Sequence, residues 1–230
     1  MGRPLIPPSA TVTALAEAAR RGDPMVVAQL GQSLDGRIAT PTGHSHYING
    51  PEAIALLHAL RANVDAVVIG SGTARADDPQ LTVRHVEGPN PARVLIDQRR
   101  SAGAALRLLA DDGSRRIVFG PALADDPAGV ETIDAPAPLS PATIVGALAE
   151  RGMRRLLIEG GAATVSGFIA AGAIDRLMVL VGPIIIGSGP TGIALPPIAR
   201  LDEAIRPAME VTLLSGGDVV FDCDLRPGHR

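Results

Sequence analysis

The stretch with the most evident chemistry runs from Leu156 to Gly167, where an apolar segment leads into Glu159, two glycines and a predicted helix. The first turn of a helix leaves backbone N–H groups without partners, and its positive dipole end stabilises a phosphate by roughly 0.3–1 kcal/mol. Glu159 would lie at the carboxyl end of a strand, where open α/β sheets hold their ligands. A tight strand-to-helix turn with a solvated glutamate explains the same stretch equally well. The rest of the chain must decide between these two interpretations.

Two other apolar segments also end in glycine-bearing turns, at Gly31 and at Gly70. The carboxyl ends of parallel strands meet at one edge of a sheet. We therefore expect the glycine-bearing turns around Gly31, Gly70 and Gly160 to line a single groove. A groove lined by backbone N–H groups suits a phosphate-rich ligand.

Other reactive side chains give weaker signals. Asp77-Asp78-Pro79 is consistent with a metal pair, with a general acid and base, or with a helix cap and turn. Metal is the weakest of these, because no histidine or third carboxylate stands at ligand spacing. His44 and His46 lie in a polar segment, where solvated histidines are commoner than catalytic ones. The absence of a G-x-S-x-G motif argues against an α/β-hydrolase.

The predicted elements must position these groups. Residues 1–24 form an irregular lead and a docked helix, and residues 25–230 form one domain. Strands are predicted over residues 25–30, 64–69, 93–97, 116–120, 129–133, 154–158, 174–181, 209–214 and 219–224, with an extended piece at 81–84. Helices are predicted over residues 11–21, 51–62, 103–109, 141–151 and 162–171. This order predicts an α/β fold with a mostly parallel central sheet, a C-terminal antiparallel hairpin and helices on both faces.

Composition narrows the classes of function. The chain has 230 residues and a net charge of −3, and all 21 of its basic residues are arginine. Without lysine there is no Schiff-base lysine and no phosphate-loop lysine. Without a basic stripe we expect no nucleic-acid partner. The single Cys223, the lack of a long apolar run and the lack of a signal pattern predict a cytoplasmic protein without a membrane partner.

Four motifs in fixed order carry a resemblance to a known family. They are Ser33–Ala39 (SLDGRIA), Leu60–Ala62 (LRA), Gly72–Arg84 with its Ala76-Asp77-Asp78-Pro79-Gln80-Leu81-Thr82-Val83-Arg84 segment, and Glu159–Gly161 (EGG). Over residues 25–225 the chain resembles the pyrimidine reductase domain of riboflavin biosynthesis, which has a dihydrofolate-reductase-like fold. The resemblance implies NADPH-dependent reduction of a ribosylamino-pyrimidine 5′-phosphate, in which hydride adds to C1′ of the opened ribose to give the ribitylamino product. It implies no metal.

The resemblance also assigns roles to individual residues. The positions that match the family's NADPH contacts are Gly31, Tyr47, Thr73, Asp77, Gln98, Gly161, Ala162, Ala163 and Thr164. Those that match its substrate contacts are Ser45, Arg61, Leu81, Arg84 and Glu159, and the catalytic candidates are Glu159 and Gln29. Two arginines, Arg61 and Arg84, suit a 5′-phosphate through bidentate hydrogen bonds. Arg75, Gln98, Arg99 and Arg100 are candidates for the 2′-phosphate of the cofactor.

Three positions depart from many bacterial members of the family. Those members carry Lys, Trp and Ser where this chain has Gln29, Tyr47 and Gln98. A glutamine cannot supply a proton or a positive charge as lysine does. A polar amide at this position is closer to the archaeal and fungal reductases, which act on the 2,5-diamino pyrimidinone before deamination.

The resemblance leaves two other functions open and also indicates an assembly state. A diverged member would reduce dihydrofolate or another small compound, and a non-catalytic member would bind the nucleotide without turnover. The family's reductases are commonly homodimers. The apolar segments 174–181 and 183–186 offer surface for a partner copy, although both are also compatible with ordinary core.

Overall fold

The computed structural model describes residues 9–46 and 48–226. Its helices are α1 (Ala10–Arg21), α2 (Pro51–Ala62), α3 (Ser71–Asp77), α4 (Pro141–Ala149) and α5 (Ala162–Ala170). Its strands are β1 (Met25–Ser33), β2 (Ala66–Gly70), β3 (Ala92–Ile96), β4 (Arg116–Phe119), β5 (Val130–Ile133), β6 (Arg155–Glu159), β7 (Arg176–Gly182), β8 (Ala208–Leu213) and β9 (Val219–Asp224). Short 3-10 turns occur at Arg107–Leu109 and Leu201–Glu203.

The strands form one sheet in the order β5-β4-β3-β2-β6-β1-β7-β9-β8. Neighbours from β5 to β7 pair in parallel, while β9 runs antiparallel to both β7 and β8. Strands β2 to β5 lie on one side of the central pair β1 and β6, and strands β7 to β9 lie on the other side. The direction in which successive strands extend the sheet therefore reverses around β1 and β6. Ligands of open α/β sheets bind beside such a reversal, at the carboxyl ends of the strands.

Both faces of the sheet are covered. On one face Val27, Val67 and Leu157 pack with α1, α2 and α3, and on the other Ala28, Val68 and Ile158 pack with α4 and α5. Successive residues of a strand point to opposite faces, so a doubly covered strand is apolar throughout. This explains why the central strands were recognisable as continuous apolar segments, and the predicted mixed sheet with helices on both faces is confirmed.

Helix α1 begins at the N-cap Ser9, whose hydroxyl accepts from the Val12 N–H, and ends at Gly22 in a left-handed conformation. Buried Leu15 and Ala18 pack it against the sheet. The Thr11 N–H and hydroxyl both donate to Asp222 on β9, which also accepts from Arg176 on β7. Helix α1 is thereby tied to the antiparallel end of the sheet. Residues 1–8 of the predicted lead lie outside the described residues.

Three local predictions differ from the structure. The segment 81–84 forms no strand, because Leu81 has a φ of 57° and the chain turns there. The predicted helix at 103–109 is reduced to the 3-10 turn Arg107–Leu109. Segment 174–181 offers no partner surface, because β7 lies between β1 and β9 and buries most of its side chains.

Among the described residues, no helix has the length and apolar character required to cross a membrane. The same part of the chain contains no group of three or more His, Cys, Asp or Glu side chains arranged to hold a metal ion.

Candidate functional site

A cleft of about 540 Å³ opens at the carboxyl ends of β1, β6 and β2. Gly31, Thr73, Asp77 and Gly161 all line it, as the three glycine-bearing turns predicted. Gln29 on β1 and Glu159 on β6 lie side by side in the sheet register. Apolar side chains form much of the remaining wall, including Leu30, Ile38, Ile48, Ile54, Leu57 and Ile69. The cleft therefore combines a dry wall with a few polar groups, which is typical of small-molecule sites.

Glu159 and Arg61 form a buried ion pair in the cleft. The Arg61 Nε lies 2.7 Å from Glu159 Oε1 and its Nη2 lies 2.6 Å from Oε2, with each side chain less than a tenth exposed. The Nη1 donates to the Thr82 carbonyl at 3.0 Å. Burial by itself lowers the pKa of Arg61, but the charge and hydrogen bonds of Glu159 outweigh it, and the pKa lies above its ordinary value. Arg61 is thus engaged by the protein on three donors.

Gln29 is the second polar group beside Glu159. It is 7% exposed, and its side-chain amide makes no hydrogen bond with any described residue. Side-chain amides in small-molecule sites commonly serve as the few polar groups that orient a ligand. The amide of Gln29 faces the cleft and is available to a bound molecule.

The turn from β6 into α5 forms another part of the wall. Gly160 has a φ of 137°, a conformation that favours glycine, and a Cβ there would lie 3.0 Å from the Thr73 hydroxyl. The Gly161 N–H donates to Thr73 Oγ1 at 2.7 Å. The next two N–H groups, of Ala162 and Ala163, have no acceptor among the described residues, and no side chain caps the helix. These free donors are a fit for an anionic group.

Gly31 lies where a side chain would not fit. A Cβ there would be 2.3 Å from Oδ1 of Asn49. Asn49 donates to the Leu180 carbonyl at 3.1 Å and to Asp218 at 2.9 Å, and Asp218 also accepts from the Gly50 N–H at 2.9 Å. Through these bonds the loop before α2 is fixed to β7 and to the β8–β9 turn.

The SLDGRIA motif shapes the rim of the cleft. Asp35 accepts from Ser33 and from the N–H groups of Ile186 and Gly187. These hydrogen bonds lower the pKa of Asp35 to about 2. The Ile38 N–H donates to the carbonyl of Pro190, which lines the cleft. The motif therefore holds the 184–190 loop at the rim of the cleft through these hydrogen bonds.

A second cavity of about 310 Å³ continues from the first. It shares Ser45, Arg61, Asp77 and Leu81 with the main cleft and adds Arg84 and Arg107. The Ser45 hydroxyl donates to Asp77 at 3.3 Å, and the Arg84 guanidinium donates only to the neutral oxygens of Gln80 and Thr82 among the described residues. The predicted substrate residues thus lie together at one end of the combined space.

The segment carrying Leu81 and Arg84 is fixed from α2. The Arg84 N–H donates to Nδ1 of His58 at 2.9 Å. One helical turn further along α2, Arg61 donates to the Thr82 carbonyl. Leu81 is buried in its left-handed conformation. Burial, followed by the charge of Arg61 and smaller effects of His85 and Arg84, lowers the pKa of His58 from 6.5 to about 3. The neutral ring can therefore act as the acceptor that this hydrogen bond requires.

This low pKa predicts a pH-dependent stability. Between pH 6.5 and 3 the unfolded chain binds a proton at His58 and the folded chain does not, so stability is full above pH 6.5 and falls as the pH falls. In urea titrations from pH 6 to pH 4.5 we expect the unfolding free energy to decrease by up to about 1.4 kcal/mol per pH unit from this group. His58→Gln should flatten this slope, whereas His44→Gln in the cleft-side loop should leave it unchanged. Equal slopes for His58→Gln and the wild type would contradict this reading of His58.

The remaining predicted cofactor residues lie elsewhere or are not described. Gln98 lies outside the main cleft, in a separate cavity of about 430 Å³ with Gly120, Asp134 and residues 135–137. Its amide donates to the Ala135 carbonyl at 3.2 Å and accepts from the Leu139 N–H at 3.3 Å. Thr164 lies in the first turn of α5, where its hydroxyl packs against Gly70. Tyr47 lies outside the described residues.

Sequence reasoning missed several residues that build the site. His58, Asn49 and Asp218 act through partners that are distant in sequence, and nothing in their neighbourhoods indicates this. Arg107 falls in the segment 103–109 that the sequence predicts as a helix, and its separation from Arg84 in the chain does not indicate that both line one cavity. The clearest sequence signal for this cavity was the motif at residues 76–84, which contributes Asp77, Leu81 and Arg84 to its lining.

Comparisons with known proteins agree with this geometry. Residues 24–212 match the family described as the RibD C-terminal domain. The "2,5-diamino-6-ribosylamino-4(3H)-pyrimidinone 5′-phosphate reductase" of Methanothermobacter thermautotrophicus is 30% identical over 212 residues, covering 86% of this chain and 97% of that protein. RibD of Mycobacterium tuberculosis (strain H37Rv) is 31% identical over 191 residues, covering 81% of this chain but only 50% of its own length.

Solved structures give the same fold. The deaminase/reductase of Thermotoga maritima superimposes with a TM-score of 0.76 at 27% identity, covering 91% of this chain and 58% of that one. Dihydrofolate reductase of Enterococcus faecalis, solved with NADP(H), gives a TM-score of 0.54 at 14% identity, covering 88% and 96%. The second likeness concerns the fold alone, and with it the expected dihydrofolate-reductase-like architecture is confirmed.

Proposed function

The chain belongs to the RibD C-terminal domain family, and from this premise we propose how its cleft reduces a pyrimidine substrate. It is an oxidoreductase of riboflavin biosynthesis that acts on a ribosylamino-pyrimidine phosphate. A nicotinamide cofactor is part of this reaction. The identity of that cofactor, the roles of the residues and the assembly state are the content of the proposal.

NADPH is the proposed cofactor, and residues of the α5 wall would hold it. The free N–H groups of Ala162 and Ala163 suit its pyrophosphate, and Gly161 leaves room for the phosphate to approach the chain. Thr73 fixes this turn through its bond to the Gly161 N–H. When bound, the nicotinamide supplies the hydride for the reduction.

The cavity at Gln98 is the proposed place for the adenosine end. It lies at the carboxyl ends of β3, β4 and β5, on the same edge of the sheet as the main cleft. Strands are about 4.8 Å apart, so the centre of this cavity lies roughly 14 Å from β6 along that edge. An extended dinucleotide can reach from one cavity to the other across the start of α5.

The pyrimidine ribose is proposed to lie against Gln29 and Glu159. The carboxylate keeps free lone pairs beside those used by Arg61 and can accept from a ring amino group or a ribose hydroxyl. The Gln29 amide can both donate and accept at the neighbouring register position. These two side chains orient C1′ of the opened ribose toward the α5 wall, while the apolar wall excludes water.

The observation that carries the proposal is that one cleft is lined by the buried Glu159–Arg61 pair, by the unpartnered Gln29 and by a helix start with free N–H groups. Two ligands of different chemistry can then lie side by side in one cleft. The test is anaerobic turnover of NADPH with the 2,5-diamino and with the deaminated ribosylamino-pyrimidine 5′-phosphate. We expect turnover of the diamino compound to be faster, since Gln29 supplies no positive charge. Reduction of neither pyrimidine would remove the proposal.

A homodimer is also proposed, with its interface on β8. This edge strand exposes Met209, Val211 and Leu213 on one face, and Leu201, seven residues before the strand, is 80% exposed. Contiguous apolar side chains on an edge strand are commonly covered by a second copy. Sedimentation should therefore give about twice the mass of 23.6 kDa, and Val211→Glu should give the monomer. A wild-type monomer at micromolar concentration would refute the interface.

Such an enzyme is proposed to work in the cytoplasm.

A further inference from the structure

The second cavity holds more positive charge than the protein neutralises. Arg61, Arg84 and Arg107 all line it, and Asp77 is its carboxylate. Glu159 neutralises Arg61 in the bidentate pair. Among the described residues, no carboxylate pairs with Arg84, and the Arg107 side chain makes neither a hydrogen bond nor an ion pair. Two guanidinium groups with free donors therefore face one cavity.

The backbone of Arg107 is held firmly although its side chain is free. Its N–H donates to Asp78 Oδ1 at 2.8 Å, and Asp78 lies at the end of α3 with a φ of 37°. Leu108 and Leu109 are fully buried directly after it. The Leu109 carbonyl accepts from the buried Arg116 at 3.1 Å. An exposed arginine on such a rigid base is positioned in advance for a ligand, which lowers the entropy lost on binding.

The charges of this cavity also act on one another. The pKa of Arg84 lies below its ordinary value because of partial burial and because of the nearby positive charges of Arg61 and Arg107. Like charges brought together in an empty cavity destabilise the protein, and a bound anion relieves this repulsion. A dianionic phosphate has three oxygens that can accept from two guanidinium groups at once.

We propose that Arg107 and Arg84 together bind the 5′-phosphate of the substrate, with Arg107 acting as the residue that selects phosphorylated over dephosphorylated compounds. This rests on the proposed function, because it assigns one end of the same substrate. It moves the phosphate role from Arg61, whose charge is already neutralised by Glu159, to Arg107. The Ser45 hydroxyl lies in the lining of the same cavity.

Binding of ribose 5-phosphate, measured by calorimetry and compared with ribose, tests the site without requiring turnover. We expect Arg107→Ala to weaken ribose 5-phosphate binding roughly 10- to 100-fold and to leave ribose binding unchanged. Arg107→Lys should recover part of the loss, because a point charge replaces the fork. The matched control is Arg20→Ala, an exposed arginine on α1 that is remote from the cavity. Circular dichroism of each variant checks the fold.

A double-variant cycle sharpens the test. If both arginines bind one phosphate, the losses from Arg84→Ala and Arg107→Ala should not add in the double variant. Equal binding by Arg107→Ala and the wild type, or losses that add fully, would overturn the proposal. Loss of ribose 5-phosphate binding in Arg107→Ala without pyrimidine turnover by the wild type would instead refute the proposed reductase and leave the anion site standing.

Discussion

Replacing Arg61 by leucine is expected to lower the free energy of unfolding by about 3–5 kcal/mol. The substitution leaves the Glu159 carboxylate buried without its counter-charge and the Thr82 carbonyl without a donor. Urea denaturation measures the loss. Arg21→Ala, which breaks an exposed pair with Asp23, is the matched control and should leave the free energy of unfolding nearly unchanged.

The same variant should lose about 100-fold in kcat/KM, because Glu159 is no longer held toward the substrate. The double variant Arg61→Leu, Glu159→Leu separates the two effects. Removing both charges together should restore most of the stability, since an apolar pair of similar volume is tolerated at such sites. It should not restore activity, because the acceptor for the substrate is gone.

The role of Arg61 in phosphate binding is tested by the choice of substrate. If Arg61 acts only through Glu159, Arg61→Leu should affect phosphorylated and dephosphorylated substrates to the same extent. If Arg61 also binds the 5′-phosphate, as its residue type suggests, the variant's KM for the phosphorylated compound should rise much more than its KM for the dephosphorylated compound. The second outcome would contradict the division of roles between Arg61 and Arg107.

The sheet was predictable because a strand that is buried on both faces is apolar along its whole length, and this pattern is visible in the local sequence. Every residue of Met25–Leu30 is buried, and the apolar sequence reports this directly. The positions of Gly31 and Gly161 in one cleft followed in turn, since parallel strands bring their carboxyl ends to the same edge. Fold and groove thus come from information contained in short windows of sequence.

The pairing of charged groups was not predictable in the same way. Arg61 and Glu159 are 98 residues apart, and their types alone fit a phosphate ligand as well as they fit each other. Leu81 adopts a left-handed φ that a leucine avoids, and it is held there by the bonds of Arg61 and His58 to its neighbours. Such a conformation is imposed by tertiary contacts, so the local pattern indicated an extended segment instead.

The second large effect is expected from Gly161→Val, which should weaken NADPH binding at least 100-fold and leave the protein folded. Gly161 has φ and ψ of −60° and 160°, which any residue adopts, so the substitution introduces no backbone strain. Its Cβ would lie 3.2 Å from Thr73 Oγ1. We expect the branched methyl groups to narrow the approach to the free N–H groups of Ala162 and Ala163. A pyrophosphate could then no longer reach those donors.

Fluorescence titration with NADPH measures the loss, and thermal unfolding monitors the fold. Gly167→Val on the same helix is the matched control, because a Cβ at that exposed position meets no atom within 4 Å. It should bind NADPH like the wild type. Gly161→Ala should fall between them, since a single methyl group only narrows the approach. Unchanged NADPH binding by Gly161→Val, with the control behaving as expected, would place the pyrophosphate away from α5, because a phosphate held by these N–H groups cannot share their space with a valine.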